Sequence, residues 1–208
     1  MTRVQIIDGN FTITDPDWPV YRIRNIVTSD NFTGAGSLAG STTDTHAGGA
    51  PMEWSGSPTG YERGPEGLLV GAGDAQMVRL PQLPADIQIS FTMSALAALS
   101  TSDLVVSARS STGMANRVAI HIQRSRIHIT ERIGGSYRQR GTGVFTVTSD
   151  DLIMIGLAGD TCTVHANGHL VVTSTVETLG DGHVGLSRSK EVSEDVARIR
   201  DLVVSQDA

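Results

Sequence analysis

The stretch that most constrains the fold is Asp151–Ser187, where short apolar runs alternate with two-residue turns. In chain order these runs and turns are Leu152–Leu157, Gly159-Asp160, Thr161–Ala166, Asn167-Gly168 and Leu170–Thr173. Asn-Gly between two β-like runs is the strongest short-range hairpin signal, because both central residues of a type I′ turn need a positive φ. A further turn at 180–182 leads into another apolar run. The stretch predicts an antiparallel meander.

A second hairpin is predicted just before this meander. Apolar and polar residues alternate through Val118–Ile122 and again through Ile127–Ile133, with Arg124-Ser125 between them. This period of two is typical of strands with one buried and one wet face. Counting outward from the turn places His121 opposite His128 on the polar face.

Several more runs complete an all-β pattern that is rich in Val, Ile and Thr and includes 23 glycines. The strongest are Ile87–Met93, Leu104–Ala108 and the closing run Val196–Val204. Between the runs we expect a connector at Pro81–Asp86, one helical turn at Ala95–Ser100 and a basic loop at Arg138–Gly143. The regular spacing predicts a two-sheet antiparallel sandwich.

Residues 1–28 differ from the rest and are interpreted as an N-terminal arm, with the sandwich formed by residues 29–208. Prolines on either side of Trp18 hold the chain extended and cannot donate to a sheet ladder. Tyr21 and Ile23 belong to an alternating run that suits an edge strand. Two interpretations remain open: an attachment arm carrying Trp18, Tyr21 and Ile23, or the first hairpin of the domain.

Charge and cysteine content narrow the classes of partner. The net charge of −6 argues against a nucleic-acid partner or an anionic membrane surface. The sequence contains no run of 18 apolar residues, so no membrane insertion is expected. The opening residues show no secretory h-region, which predicts synthesis in a reducing cytoplasm.

The single cysteine, Cys162, excludes an intrachain disulfide and is expected to be a buried, inert thiol.

The order of several short units resembles a concanavalin A-like (laminin G-like) jelly-roll domain over residues 30–208. The units are an opening D-x-F at Asp30–Phe32, a Gly-rich loop ending at Trp54, the hairpin 118–133 followed by Gly134–Tyr137, the unit Leu152–Val172, and the strands Gly182–Leu186 and Ile199–Val203. The resemblance implies a jelly-roll sandwich. It also implies one Ca²⁺ at its rim, for which Asp30 and Asp201 are the candidate ligands because their strands would be neighbours. The residues themselves indicate no other cofactor.

Standalone domains of this kind with a small β-like arm resemble accessory or minor tail proteins of bacteriophages that infect actinobacteria. This resemblance implies a homo-oligomeric virion component that contacts other virion proteins through one surface. The other surface would face cell-wall glycans. Because a fold does not determine a function, these are expectations from analogy.

Catalysis is not expected. Glucan-hydrolysing relatives of this fold need paired carboxylates on one strand, supplied as E-x-D-x-E, and the sequence contains no such triplet. The nearest acidic cluster, Glu191–Asp195, has the wrong spacing and is interpreted as a solvated loop. The two histidines alone do not make a metal site.

Glycan binding needs an aromatic platform beside polar groups. Trp54 and Tyr61 are the first candidates, with Tyr137 as a further one. The resulting expectation is a non-enzymatic structural or adhesion component of a phage particle that presents a sandwich to glycans. The alternatives are a stand-alone carbohydrate-binding module and, more weakly, a glycoside hydrolase with scattered carboxylates.

Overall fold

A computed structural model describes residues 3–7, 10–14, 24–56, 61–70, 77–96, 103–177, 179–188 and 197–207. These residues form eighteen β-strands and no helix, so none of them belongs to a helix that could cross a membrane. The strands are β1 (Arg3–Ile7), β2 (Asn10–Thr14), β3 (Arg24–Asp30), β4 (Gly36–Ser37), β5 (Ser55–Gly56), β6 (Glu62–Gly64), β7 (Gly67–Leu69), β8 (Val78–Leu83), β9 (Ile87–Leu96), β10 (Leu104–Ser110), β11 (Arg117–Gln123), β12 (Arg126–Ile133), β13 (Ser136–Val144), β14 (Leu152–Ala158), β15 (Thr161–Ala166), β16 (His169–Thr175), β17 (Gly182–Arg188) and β18 (Ala197–Asp207).

The strands form two antiparallel sheets, which confirms the predicted all-β sandwich. The larger sheet has eleven strands; its main path runs β1-β2-β3-β18-β9-β14-β15-β16, with β4, β6 and β7 attached beside it. The smaller sheet has seven strands in the order β13-β12-β11-β10-β17-β8-β5. The closing strand β18 lies between β3 and β9, so the end of the chain fills the middle of the larger sheet.

The predicted meander and hairpin are both present. Strands β14, β15 and β16 pair in sequence, and Asn167 and Gly168 have φ values of 51° and 86°, as a type I′ turn requires. Strands β11 and β12 pair across Arg124-Ser125, with His121 directly opposite His128. Positive φ and a strict period of two are local constraints, and the tertiary structure satisfies them both.

The core lies between the two sheets and follows the alternation of the strands. In β9 the residues Ile87, Ile89, Phe91 and Met93 are buried, while the residues between them are partly exposed. Facing residues of the seven-stranded sheet, such as Ile120 and Ile129, are also fully buried. Removing this apolar surface from water is the main force that holds the sheets together.

The segment Arg138–Gly143 was predicted as a loop and is instead part of strand β13. Its glycines serve close packing: a Cβ at Gly143 would lie 2.2 Å from the Val171 carbonyl oxygen, and one at Gly141 would lie 3.1 Å from Val172 Cγ2. Strand β16 of the other sheet therefore approaches β13 at positions where only glycine fits without a shift of the neighbours. A pattern that is typical of a loop is here a strand at the junction of the two sheets.

Two smaller expectations also change. The connector predicted at 81–86 begins later, because β8 continues to Leu83. The helical turn predicted from Ala95 is not found at its start, since β9 continues to Leu96; residues 97–100 lie outside the described residues.

The N-terminal strands extend the larger sheet. Strands β1 and β2 form a hairpin, and β2 pairs with β3 through Asn10 opposite Asn25 and Phe11 opposite Arg24. Strand β3 begins at Arg24 and so crosses the boundary predicted at 28/29. The backbone pairing is that of a first hairpin, and its use in attachment stays a prediction.

Candidate functional site

The seven-stranded sheet has one face that packs on the core and one face that points away from it. On strands β11, β12 and β13 the face that points away from the core carries the polar side chains. Directly opposite residues of an antiparallel pair lie on the same face, and the register places them in lateral rows. One row contains Arg117, Arg132 and Tyr137. On β12, Thr130 lies two residues before Arg132, and His128 lies two residues before Thr130. His128 forms a second row with His121 of β11. We call this surface the outer face.

Tyr137 stands at the edge of the outer face and is 53% exposed, the one exposed aromatic among the residues whose side chains the structure describes. Arg117 Nη2 donates a hydrogen bond of 2.7 Å to the Tyr137 hydroxyl. The guanidinium carbons of Arg132 and Arg117 lie 5.0 and 5.7 Å from the ring centroid, within cation–π range. The ring is therefore held in place at one end while about half of it stays open to solvent.

The expectation that Trp54 and Tyr61 form an exposed platform is wrong. Both side chains are fully buried in the core. Trp54 Nε1 donates to Asp30 Oδ2 at 2.8 Å, and the Tyr61 hydroxyl donates to the Leu186 carbonyl oxygen at 2.7 Å. Buried aromatic residues with a polar tip usually find such a partner. The two residues anchor the Gly-rich loop and the following strands to the sandwich, and Tyr137 remains as the glycan-contact candidate.

The pair Asp30 and Asp201 does not fit a shared calcium ion. Their strands, β3 and β18, are neighbours as expected, but Asp30 pairs with Leu202 and shares its buried face. The Asp30 oxygens accept hydrogen bonds from Trp54 Nε1 and the Phe32 backbone N–H. Burial raises the pKa of Asp30 above its ordinary value, against these hydrogen bonds, so the site disfavours a charged carboxylate.

Asp201 belongs to a different environment. Its side chain is about half exposed, and its carboxylate lies 3.6 Å from Arg200 Nε and 3.9 Å from His46 Nε2. A cationic side chain in contact with the carboxylate competes with a metal ion for the same oxygens. No role is assigned to calcium at these two residues.

The histidine pair has a partner that the sequence analysis missed. The His121 and His128 rings stack with centroids 4.5 Å apart, and Asp103 Oδ2 lies 3.0 Å from His121 Nδ1. Asp103 immediately precedes β10 and lies beside the histidines only because β10 pairs with β11. Among the described residues, this is the one group of three or more metal-ligating side chains that converge.

Electrostatics in this cluster favour the metal-binding forms of Asp103 and His128. Burial alone would raise the pKa of Asp103, but hydrogen bonds from His121 and Gln123 lower it below its ordinary value. Burial also lowers the pKa of His128, and the neighbouring His121 adds to this effect. At neutral pH the carboxylate is thus charged, and the His128 imidazole is neutral.

Two other predictions concern reactive groups. Cys162 is buried, as predicted, and burial raises the pKa of its thiol to about 12, which disfavours the thiolate at neutral pH. The acidic cluster 191–195 lies outside the described residues, as do the arm residues Trp18, Tyr21 and Ile23.

The sequence matches no protein-family model and no curated protein, but the fold is similar to solved structures. The endo-β-1,3-glucanase from Pyrococcus furiosus superposes with a TM-score of 0.63 at 9% identity, covering 99% of this chain and 98% of that one. The carbohydrate-binding module CBM66 from Bacillus subtilis gives a TM-score of 0.54 at 13% identity, covering 85% and 98%. The Crh5 transglycosylase in complex with NAG gives 0.58 at 11% identity, covering 91% and 88%. At these identities the likeness shows a shared jelly-roll sandwich, which confirms the predicted fold.

Proposed function

We propose that this protein is a non-enzymatic glycan-binding sandwich that contacts carbohydrate through Tyr137 on the outer face of the seven-stranded sheet. The observation that carries the proposal is an exposed tyrosine ring held beside two arginines on a polar sheet face. Support also comes from the fold, since structures named as a carbohydrate-binding module and as an endo-β-1,3-glucanase share it.

Each group of the row has a distinct part in this proposal. The open half of the Tyr137 ring offers an apolar surface to the C–H face of a sugar ring. Arg132 is half-buried and presents N–H donors to sugar hydroxyls at the edge of the ring. Arg117 is almost fully buried, so its part is to hold the tyrosine through the hydroxyl rather than to touch sugar. A ring held in advance loses little conformational freedom on binding.

We expect Tyr137→Ala to weaken glycan binding by about tenfold or more, which corresponds to the loss of about 1.4 kcal/mol at an aromatic anchor. The measurement is titration calorimetry and affinity electrophoresis with soluble β-1,3-glucan, with mixed-linkage β-1,3-1,4-glucan and with fragments of bacterial cell wall. Tyr137→Phe retains the ring and loses the hydroxyl, which accepts the Arg117 hydrogen bond. It should lose less affinity than the alanine variant.

Leu170→Ala is the matched control, because Leu170 is also exposed and apolar, at 56%, but lies on strand β16 of the other sheet. Its glycan affinity should equal that of the unchanged chain. Equal affinities for the Tyr137→Ala and Leu170→Ala variants would remove the basis of the proposed site.

Release of reducing ends from the same glucans is measured in parallel. Hydrolysis that one Glu or Asp substitution abolishes would replace the binding role with an enzymatic one.

We further propose that this binding serves adhesion by a phage particle, in which the N-terminal segment joins the protein to copies of itself or to other virion proteins. The supporting observation is the position of the β1–β2 hairpin at one end of the larger sheet, where β1 is an edge strand. An edge strand presents unpaired N–H and C=O groups to a neighbouring chain.

Removal of residues 1–23 tests this attachment role, because the truncation ends just before β3 and leaves β3 in the sheet. We expect light scattering to show an oligomer for the full chain and a smaller species for the truncated chain. Glycan affinity per chain should stay unchanged, since Tyr137 lies in the other sheet. A full chain that is already monomeric would exclude self-assembly through the hairpin.

A further inference from the structure

Three side chains from three neighbouring segments converge at the end of the outer face. Asp103 precedes β10, His121 lies on β11 and His128 lies on β12. One oxygen or nitrogen atom from each lies within 4.8 Å of the other two. Asp103 Oδ2 is 3.0 Å from His121 Nδ1 and 3.9 Å from His128 Nε2. The side chains of all three are 15% exposed, so solvent reaches the cluster without surrounding it.

The two separations that involve Asp103 are close to those between ligand atoms around a bound transition metal. Ligand atoms about 2.0–2.1 Å from a tetrahedral zinc ion are about 3.3 Å from one another. The shorter distance must open by a few tenths of an ångström and the longer one must close by about half an ångström. Side-chain torsions must provide these shifts and also turn the two histidine rings out of their stacked arrangement, because two parallel rings cannot both direct an in-plane nitrogen lone pair at one ion. The backbone needs no change, since the pairing of β10 with β11 and of β11 with β12 already brings the three groups together.

The atoms behind the ligands are also placed as metal ligands require. Gln123 Nε2 donates to Asp103 Oδ1 at 2.7 Å, which leaves Oδ2 to face the histidines. His121 Nε2 lies 3.0 Å from Thr130 Oγ1. With a metal on Nδ1, the remaining ring proton sits on Nε2 and donates to that hydroxyl. Outer partners of this kind set the tautomer and orientation of a ligating histidine.

We propose that Asp103, His121 and His128 bind one divalent transition-metal ion, with zinc as the best match. Two imidazoles and one carboxylate suit zinc, copper or nickel better than calcium or magnesium, which prefer oxygen ligands. Three protein ligands leave a fourth position, which water occupies. The site is separate from the Tyr137 row: His128 and Arg132 are four residues apart on β12, about 13 Å along the strand. This inference does not depend on the proposed glycan contact.

Titration calorimetry of the full chain with ZnCl₂ at pH 7, after treatment with EDTA, tests the proposal. We expect one zinc ion per chain. Asp103→Asn and His121→Ala should each weaken binding by at least about tenfold, and Gln123→Ala should weaken it by about tenfold through loss of the outer hydrogen bond. His169→Ala is the matched control, because His169 is exposed at the start of β16, outside the cluster, and its removal should leave zinc affinity unchanged.

A second measurement separates a lost site from a lost fold. Each variant is melted with and without zinc, since a ligand that binds only the folded state raises the Tm. The ligand variants should melt cooperatively without zinc and show no zinc-dependent rise, whereas the unchanged chain and His169→Ala should show one. Absence of zinc binding to the unchanged chain would overturn the proposal. Affinity retained by both ligand variants, or lost equally in His169→Ala, would also overturn it.

Discussion

A chain carrying Trp54→Ala is expected to lose about 4 kcal/mol or more of its free energy of unfolding, close to the upper end for a single core substitution. Trp54 is fully buried, and its ring lies 6.0 Å from that of Phe32, centroid to centroid. Truncation leaves a cavity. It also removes the indole N–H, which donates a hydrogen bond to the Asp30 carboxylate. The measurement is chemical denaturation at pH 7, with the slope compared between variants to confirm two-state behaviour.

Trp54→Phe separates the two contributions. Phenylalanine retains much of the ring volume but has no N–H, so we expect a loss of about 1.5–3 kcal/mol, the usual range for a hydrogen bond to a charged group. In a double-mutant cycle with Asp30→Asn, this loss should shrink when Asp30 has already been replaced by an uncharged side chain. Additive effects of Trp54→Phe and Asp30→Asn would contradict the assignment of the Trp54–Asp30 contact.

The loss caused by Trp54→Phe should depend on pH in a defined direction. The pKa of Asp30 is already raised by burial, and removing the Trp54 hydrogen bond, which lowers it, raises it further. A carboxyl whose folded-state pKa lies above the unfolded value of 3.8 destabilises the fold once it is charged. The fold then regains stability as pH falls through the folded-state pKa. The deficit of the variant should therefore be largest at neutral pH and decrease as the pH approaches 3.8.

Replacing Arg140 by alanine is expected to cost about 1.5–3 kcal/mol, the range for a hydrogen bond to a charged group, because Glu131 is buried while the Arg140 side chain is 29% exposed. Glu131 on β12 is fully buried, and its carboxylate contacts Arg140 Nε and the backbone N–H of Glu177. Without Arg140, the Glu131 carboxylate stays buried at the junction of the two sheets, and of these two donors only the Glu177 backbone N–H remains. Denaturation at pH 7 measures the loss.

The neighbouring arginine on the same strand is the control. Arg138 Nη1 lies 3.4 Å from Glu177 Oε1, but both side chains are about half exposed. Exposed pairs contribute about 0–1 kcal/mol, so Arg138→Ala should change stability little. A double replacement of Glu131 and Arg140 by Met and Leu should restore much of the stability lost in Arg140→Ala, because it leaves no unpaired buried charge. Equal losses for the two arginine variants would contradict this account.

The elements predicted correctly from sequence are those whose signals are local. The Asn167-Gly168 turn requires positive φ at two adjacent positions, and few other structures use that dipeptide between apolar runs. The alternation in Ile87–Met93 follows from the geometry of a pleated strand with one buried face. The opposition of His121 and His128 follows from counting residues away from one short turn. In each case the determining partner lies within a few residues along the chain.

Where the sequence was misread, the deciding contact came from far along the chain. Arg138–Gly143 has the composition of a loop, yet it forms a strand because its glycines let Val171 approach closely. Trp54 follows a Gly-rich polar stretch, yet it is buried in the core beside Phe32, and Asp30 on β3 accepts a hydrogen bond from its indole N–H.

The sequence by itself determined the fold class, the meander, the hairpin and the polar face that carries His121 and His128, because strand periodicity and turn chemistry are properties of neighbouring residues. Only the tertiary structure decided which aromatic rings are exposed and which carboxylate joins the two histidines. Asp103 is 18 residues from His121 in sequence, and the pairing of β10 with β11 brings them within 3.0 Å. Burial and convergence depend on how the sheets pair and pack, and that is set by the whole apolar core rather than by any short segment.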